Sequence, residues 1–192
     1  MNTKQITTKL LITFLFAALL LIGCNENNAT AQQKKPTSKM QKPKTDFHTA
    51  VATGNIEAVK QHIAARTDIN LKDALGGSSP LITACLYEQQ EIARLLLKAG
   101  ANINFQNNDG STPLHVAAFF CKPEIVKLLL EKKADKTIKN KYNSTAYETV
   151  ATPFAEVKTI YEQMKQMLAP MGVKIDFSYI EKTRPIIANM LK

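Results

Sequence analysis

Thr112-Pro113-Leu114-His115-Val116-Ala117-Ala118 is the stretch that decides the fold, because the chain repeats it at a fixed distance. Counterparts stand 33 residues earlier, at 79–85, and 33 residues later, at 145–151. A shift of 34 brings residues 45–51 into the same pattern. A period of this length indicates a solenoid, in which each unit buries its apolar face only against its neighbours. Residues 45–151 are therefore expected to form stacked repeats, whose surface suits a macromolecular partner better than an enclosed small substrate.

Each repeat is expected to contain two helices. Thr112 suits the N-cap, and Pro113 suits the first helical position because its missing N–H has no partner there. The Ser79-Pro80 pair repeats this arrangement. A second helix is indicated by apolar residues at helical spacing, namely Ile92, Leu95, Leu96 and Leu97 in one unit and Ile125, Leu128, Leu129 and Leu130 in the next.

These residues closely resemble the ankyrin repeat. Three motifs recur in order at one period, represented by residues 110–118, 124–130 and 98–104. The resemblance implies an all-α solenoid of about four helix-turn-helix units with a helical C-terminal cap. It also implies hairpin fingers along one edge, where 75–78 and 107–110 have the composition of turns.

The chain departs from the family pattern at three positions. Asp46 replaces Pro in the first unit, as expected of a terminal repeat that faces water. Glu88 and Cys121 occupy the inter-helix turn, where family members carry Gly. These two turns must either tolerate a strained φ or relax it.

The segment 152–192 is expected to be a degenerate last repeat and a helical C-terminal cap. A helix is predicted over 156–168, followed by a break at Pro170-Met171-Gly172 and a short extended piece at 173–177. A last helix, 178–191, is predicted to be interrupted or restarted at Pro185. A solenoid must cover its last apolar face, and this segment is available to do so.

Residues 1–23 have the features of a bacterial lipoprotein signal peptide. Lys4 and Lys9 precede an apolar run, 10–22, that is too short for a comfortable bilayer span. The run ends in Leu21-Ile22-Gly23-Cys24, which resembles a lipobox and predicts acylation of Cys24. Cleavage elsewhere and a retained anchor are the alternatives. Asn25 favours the outer membrane or periplasm over the inner membrane, and the cell envelope is the expected location.

Residues 24–44 are expected to be a flexible tether, because they contain no aromatic or branched aliphatic side chain. A coil of this length reaches about 25 Å. Much of the net charge of +9 lies here, in Lys34, Lys35, Lys39, Lys42 and Lys44. Nucleic-acid binding requires a basic stripe on the folded face, so no nucleic-acid partner is expected.

The sequence offers little for catalysis, and we expect no metal, no cofactor and no small-molecule substrate. His48 and His115 occupy the same slot two repeats apart, roughly 20 Å from each other. In the family this His orders a loop by hydrogen bonding, and His62 has no metal-ligating partner at the right spacing. Cys85 and Cys121 are too far apart for a disulfide and are expected to be free thiols.

The predicted partner-binding surface lies on the first helices and on the fingers. The resemblance implies that the two positions after the Ala-Ala slot face the concave side. These positions, with the adjacent finger positions, are Leu86, Tyr87, Phe119, Phe120, Leu75, Asn108, Asp109, Lys141 and Tyr142. Clustered aromatics are typical of interface hot spots. The alternative is that some of these rings pack against the neighbouring unit.

A basic patch surrounds the third exit loop, at Lys132, Lys133, Lys136, Lys139 and Lys141. Such a run is usually a solvated face, and its functional interpretation is steering of an acidic partner. The sequence thus predicts a non-enzymatic, envelope-anchored binding scaffold that holds a protein partner. The alternative is an immunity, inhibitor or chaperone-like protein that masks one envelope enzyme.

Overall fold

Residues 43–192 are described by the computed structural model, and over this range the regular structure is entirely helical. The predicted all-α solenoid of helix-turn-helix units is confirmed. The signal segment 1–23, the lipidation site Cys24 and nearly all of the tether lie outside the described residues. Within the described range, every helix is too short or too polar to cross a bilayer.

The helices fall into three complete pairs and a fourth unit of different design. Their bounds are α1 (Phe47–Ala52), α2 (Ile56–Ala64), α3 (Pro80–Leu86), α4 (Gln90–Lys98), α5 (Pro113–Phe119), α6 (Pro123–Glu131), α7 (Glu148–Ala151), α8 (Phe154–Leu168) and α9 (Phe177–Leu191). A short 3₁₀ helix, Ala169–Met171, follows α8. In each of the first three pairs the first helix is followed at once by an antiparallel second helix.

The first helices begin where the capping residues predict. Thr112 caps α5, and its hydroxyl accepts a hydrogen bond from the backbone N–H of His115, while Ser79 caps α3 in the same way. In the first repeat the cap moves one position, and the Asp46 carboxylate accepts from the N–H of Thr49 at 2.9 Å. The replacement of Pro by Asp46 thus keeps a capped N-terminus.

The inter-helix turns keep a left-handed residue whether or not it is glycine. Gly54 has φ 72°, and the equivalent residues Glu88 and Cys121 have φ 58° and 52°. Each turn is closed by a hydrogen bond from the following N–H, as in Gln89 N–H to Ala84 C=O at 2.8 Å. The strain is therefore tolerated, at a cost of roughly 1–2 kcal/mol for each non-glycine residue.

One apolar core runs through all the repeats and ends on α9. It starts with Phe47 and Val51 on α1 and continues through the leucines and isoleucines of α3 to α6. Ile187 and Leu191 of α9 close it. The predicted capping role of the C-terminal segment is thus carried by α9, which packs against α6 and α7 in the place of a fourth second helix.

Two details of the C-terminal segment differ from the sequence prediction. Residues 173–176 have no regular structure, and α9 begins at Phe177, after the Asp176 N-cap. The helix also runs through Pro185 without a restart. Pro185 and Glu181, whose carbonyl loses its helical donor, are both exposed, so water can satisfy that carbonyl.

Candidate functional site

Three fingers project between consecutive helix pairs, and an Asx side chain shapes each of them. In the second finger the Asn107 side-chain oxygen accepts from the N–H groups of Asp109 and Ser111. Asn140 does the same in the third finger, and the Asp73 carboxylate accepts from several N–H groups in the first. These residues were not singled out from the sequence, although their spacing of 34 and 33 matches the repeat.

Backbone hydrogen bonds link the fingers into one continuous edge. Asn108 N–H donates to Gly76 C=O, and Lys141 N–H donates to Asp109 C=O, both at 2.9 Å. We call residues 73–78, 107–111 and 140–144 the finger edge. Five of the predicted partner-binding residues lie on it, and all five are exposed: Leu75, Asn108, Asp109, Lys141 and Tyr142.

The first finger carries the residue that lengthens the first repeat. Asp73 N–H pairs with Ser78 C=O, whereas the equivalent pair in the second finger is Asn107 with Ser111. The shift of 34 between repeats one and two therefore arises in this turn. Leu75 stands on the longer turn with 81% of its surface exposed, and Tyr142 on the third finger is 73% exposed.

His48 and His115 hold loops together, which agrees with the role that the family resemblance implies for this position. His48 contacts the Thr83 hydroxyl and the Leu71 carbonyl, both at 2.9 Å. His115 bonds the Thr112 hydroxyl at 2.8 Å and the Ser144 carbonyl at 3.0 Å. Burial lowers the pKa of His115, partly offset by the bond to Ser144, so the neutral ring is favoured.

The aromatic pair on α5 is covered by the C-terminal segment and not by a neighbouring repeat. Phe119 stacks on Tyr161 of α8 with ring centroids 4.5 Å apart, and Phe120 meets Phe119 edge to face at 5.1 Å. Both phenylalanines are half-buried and pack into a second apolar cluster with Tyr161, Ile175 and Cys121. The ring faces that pack in this cluster are therefore not available to a partner.

The other two predicted groove residues, Leu86 and Tyr87, are also half-buried. The Tyr87 hydroxyl donates to the Met171 carbonyl at 3.0 Å, so the segment after α8 reaches the second repeat. The nine predicted residues thus divide into three groups. Five line the open finger edge, three (Tyr87, Phe119 and Phe120) contact or pack with the C-terminal segment, and Leu86 is half-buried next to Tyr87.

A buried arginine organises that covering segment and was missed from the sequence. Arg184 on α9 is 2% exposed and donates to the Tyr161 hydroxyl at 2.7 Å and to the Thr149 and Thr152 carbonyls. Tyr161 in turn donates to Phe119 C=O at 2.7 Å. Burial raises the pKa of Tyr161 to about 12. The sequence did contain a signal for it, because Arg184 places a charge between Ile180 and Ile187 on the apolar face of the predicted last helix.

Both cysteines in the described part of the chain are buried free thiols. Burial raises the pKa of both free thiols, far above its ordinary value for Cys85 and to about 11 for Cys121, so neither is a ready nucleophile. Among residues 43–192 no three metal-ligating side chains cluster. Two open depressions, of about 400 and 320 Å³, are lined mainly by lysine stems and small or apolar side chains.

Comparison with known proteins identifies the repeats. A family model described as ankyrin repeats, in three copies, matches residues 47–140. Protein phosphatase 1 regulatory subunit 27 of Homo sapiens is 39% identical over 64 residues, which is 33% of this chain and 41% of that protein, and the Mus musculus protein matches equally. The ankyrin repeat domain of Bcl-3, in the IkappaB protein family, matches with a TM-score of 0.52 and 35% identity.

The Bcl-3 match covers 54% of this chain and 45% of the Bcl-3 domain. This chain therefore aligns with less than half of the length of each of these relatives. The matches establish the repeat fold of the central region, and they leave the C-terminal segment without a counterpart in the family model, which ends at residue 140.

Proposed function

Because residues 47–140 are ankyrin repeats, we propose that this chain is a non-enzymatic scaffold that holds a protein partner on its finger edge. Ankyrin repeats generally mediate binding between proteins. The finger edge is the part of the predicted surface that is open to a partner, and it combines two exposed apolar side chains, Leu75 and Tyr142, with polar and charged neighbours. An apolar anchor within a polar rim is the usual composition of a binding hot spot.

The single observation that carries this proposal is the rigid linkage of the fingers. Their tips are held by Asx side chains and by hydrogen bonds from finger to finger. A binding surface that is ordered before it meets its partner loses less conformational entropy on association. The backbone that carries Leu75 and Tyr142 is therefore held in place before a partner arrives.

We also propose that the scaffold is attached to the bacterial cell envelope through lipid on Cys24. The support comes from the sequence, where a basic start and a short apolar run precede Leu21-Ile22-Gly23-Cys24. More than one acyl chain gives stable attachment, since each buried CH₂ adds about 0.8 kcal/mol.

Masking of one envelope enzyme is the second candidate function. The observation in its favour is that the curated relatives are named as regulatory subunits of a phosphatase. The finger edge would serve this function equally well, so the identity of the captured partner separates the two candidates.

Capture from detergent-solubilised envelope tests the binding proposal. We expect the Leu75→Ser/Tyr142→Ser double variant to lose at least one protein that the wild-type chain enriches, as measured by quantitative mass spectrometry. Truncation at a hot spot costs roughly 2 kcal/mol or more, which corresponds to a loss of about thirtyfold in affinity.

The matched control is Tyr179→Ser/Ile186→Ser, which removes two exposed apolar side chains from α9. Both double variants should keep the wild-type melting temperature, because none of the four side chains is buried. Equal capture by wild type and the finger variant would contradict the proposal, as would equal losses in the two variants.

The anchor has its own test. We expect the mature chain to carry acyl chains at Cys24 and to sediment with membranes, and the Cys24→Ser variant to lose both properties. An unmodified Cys24 in the mature wild-type chain would refute the lipoprotein assignment and leave the binding proposal standing.

A further inference from the structure

One edge of the repeats is basic and lies beside the point where the chain enters the described structure. The loops that leave the second helices, which we call the exit loops, cover residues 65–70, 99–104 and 132–137. Asn102 N–H donates to the Asn70 side chain at 2.9 Å, and Asp135 N–H donates to the Asn104 side chain at 3.0 Å. The three exit loops therefore form one continuous row.

Basic side chains concentrate on this row and on the helix ends that lead into it. Arg94, Lys98 and Lys132 line one shallow depression of about 320 Å³ with the side chain of Leu97. We call the exposed basic set the basic edge; its members are Arg66, Arg94, Lys98, Lys132, Lys133 and Lys136.

Three carboxylates, Asp68, Glu131 and Asp135, lie on or beside this row, against the six basic side chains of the basic edge. Asp68 accepts from Asn70 N–H, and Asp135 accepts from the N–H and hydroxyl of Thr137. Glu131 is exposed nearby, and the Lys136 ammonium lies 3.2 Å from the backbone oxygen of Lys192. Positive charge therefore remains in excess along the row.

The N-terminal end of the described chain is hydrogen-bonded, through His62, to the first loop of this row. The backbone carbonyl of Thr45 accepts from the His62 ring at 2.7 Å, and the other ring nitrogen contacts the Thr67 hydroxyl of the first exit loop at 3.1 Å. Residues 25–42 are all that separates Cys24 from residue 43. A chain of this length spans at most about 65 Å when fully extended.

We propose that the basic edge docks on an anionic bilayer surface, so that the finger edge is presented to its partner in a fixed orientation. This proposal rests on the lipid anchor at Cys24 proposed above. An anchored Cys24 keeps the domain close to headgroups, and basic side chains near an anionic surface are attracted within about one Debye length of it. The exposed Lys44 lies at the entry point and adds one more basic side chain there.

Chemical labelling of lysines tests this orientation in the full mature chain. The lipidated protein is reconstituted in vesicles of phosphatidylcholine alone or with phosphatidylglycerol, and lysine acetylation rates are read by peptide mass spectrometry. With phosphatidylglycerol we expect the rates at Lys98, Lys132 and Lys133 to fall about fivefold or more, which is the factor expected for one basic contact with an anionic surface. High salt should restore them.

Lys158, Lys174 and Lys182 provide the control within the same sample, because they are exposed on the C-terminal segment and lie outside the basic edge. Their rates should be the same in both kinds of vesicle. Replacing Lys98, Lys132 and Lys133 with Gln should return the Lys44 rate to its value in phosphatidylcholine. The same replacement of the three control lysines should leave Lys44 protected.

The outcomes separate this proposal from the anchor itself. A chain with lipid at Cys24 whose lysines label uniformly in both vesicles overturns the docking proposal alone. Protection of the control set, or protection that is equal in phosphatidylcholine, also overturns it. A wild-type chain without lipid at Cys24 overturns both proposals.

Discussion

The third repeat and the fourth unit occupy equivalent places in the stack but are built differently. In the third repeat, α5 (Pro113–Phe119) and α6 (Pro123–Glu131) are separated by a tight turn. In the fourth unit the first helix has 4 residues, and its partner α9 arrives only after α8 and the loop that follows it. The apolar end of a solenoid must be covered, but the covering helix can come from a distant point along the chain.

The helix inserted between the two parts of the fourth unit is attached at few points. Of the 15 residues of α8, only Tyr161 and Leu168 are buried. Tyr161 fills the space beside Phe119 and accepts the hydrogen bond from Arg184. Repeats two and three, by contrast, are held along their whole length by packed leucines. The following predictions test this contrast.

The largest effect is expected from Tyr161→Ala. Removal of this fully buried ring leaves a cavity and an unpaired Arg184 donor, so stability should fall by roughly 3–5 kcal/mol. Urea unfolding measures the loss, and hydrogen exchange should localise it to α8 and α9 while α1 to α4 remain protected. Tyr179→Ala, which removes a ring that is 43% exposed, is the control and should cost less than about 1 kcal/mol. Equal deprotection of α1 to α4 would remove the contrast.

A smaller loss is expected from Gly110→Ala in the second finger. Gly110 has φ +71°, and an added Cβ would lie 3.1 Å from the backbone nitrogen of Lys141 in the next finger. We expect a loss of roughly 2 kcal/mol that stays at the junction of the second and third fingers. Gly100→Ala is the control, since Gly100 is also left-handed, with φ +92°, but nothing lies within 4 Å of its added Cβ. Similar losses in both variants would show that the close contact between fingers is unimportant.

A gain of about 0.5–1 kcal/mol is expected from Lys133→Gly. Lys133 is exposed with φ 62°, at the position where the preceding repeat has Gly100 with φ +92°. The reverse change, Gly100→Ala, should destabilise by a similar amount, because open space surrounds the added Cβ and only the backbone strain remains. Thermal unfolding of both variants measures the pair. Destabilisation by Lys133→Gly would show that its backbone strain is offset by side-chain contacts.

The smallest effect concerns the pH dependence carried by His115. Burial lowers the pKa of His115 in the folded state. As the pH falls below about 6.5, His115 is therefore protonated in the unfolded chain while it is still neutral in the folded chain. The stabilising contribution is therefore complete above that pH and is lost as the pH falls toward the folded pKa. We expect His115→Gln to lower stability at neutral pH and to flatten this decline, measured as urea midpoints at several pH values. An unchanged slope would contradict the assignment.

Local features were largely predictable because local contacts determine them. The caps Ser79 and Thr112 and the loop-binding histidines all act within one repeat or on the next. The turns at Glu88 and Cys121 were located correctly, but the sequence left open whether they would keep a left-handed φ, and both do. The exposure of the finger residues Leu75 and Tyr142 followed for the same reason. The Asx residues were missed although their spacing follows the repeat, because each finger contains several polar residues and only the folded loop shows which one accepts the backbone N–H groups.

The fate of Phe119 and Phe120 could not be predicted in the same way. Their periodic position implied a concave-facing pair, yet the ring that covers Phe119 comes from Tyr161, 42 residues later. Arg184 interrupts an apolar stripe in the sequence, and its partners Thr149 and Thr152 lie more than 30 positions away. Contacts between residues so far apart in sequence depend on the path of the chain between them, and a local sequence pattern does not predict that path.

The sequence by itself determined the repeat, its helices and the position of its turns, because each unit contains the signals for its own formation and needs only its neighbours for burial. Tertiary structure alone decided that α9 completes the fourth unit, that α8 covers the aromatic pair and that the finger edge remains open. The physical reason is that the apolar end of the stack and the aromatic rings of Phe119 and Phe120 need a cover, and only the folded chain shows which of the remaining side chains reach them.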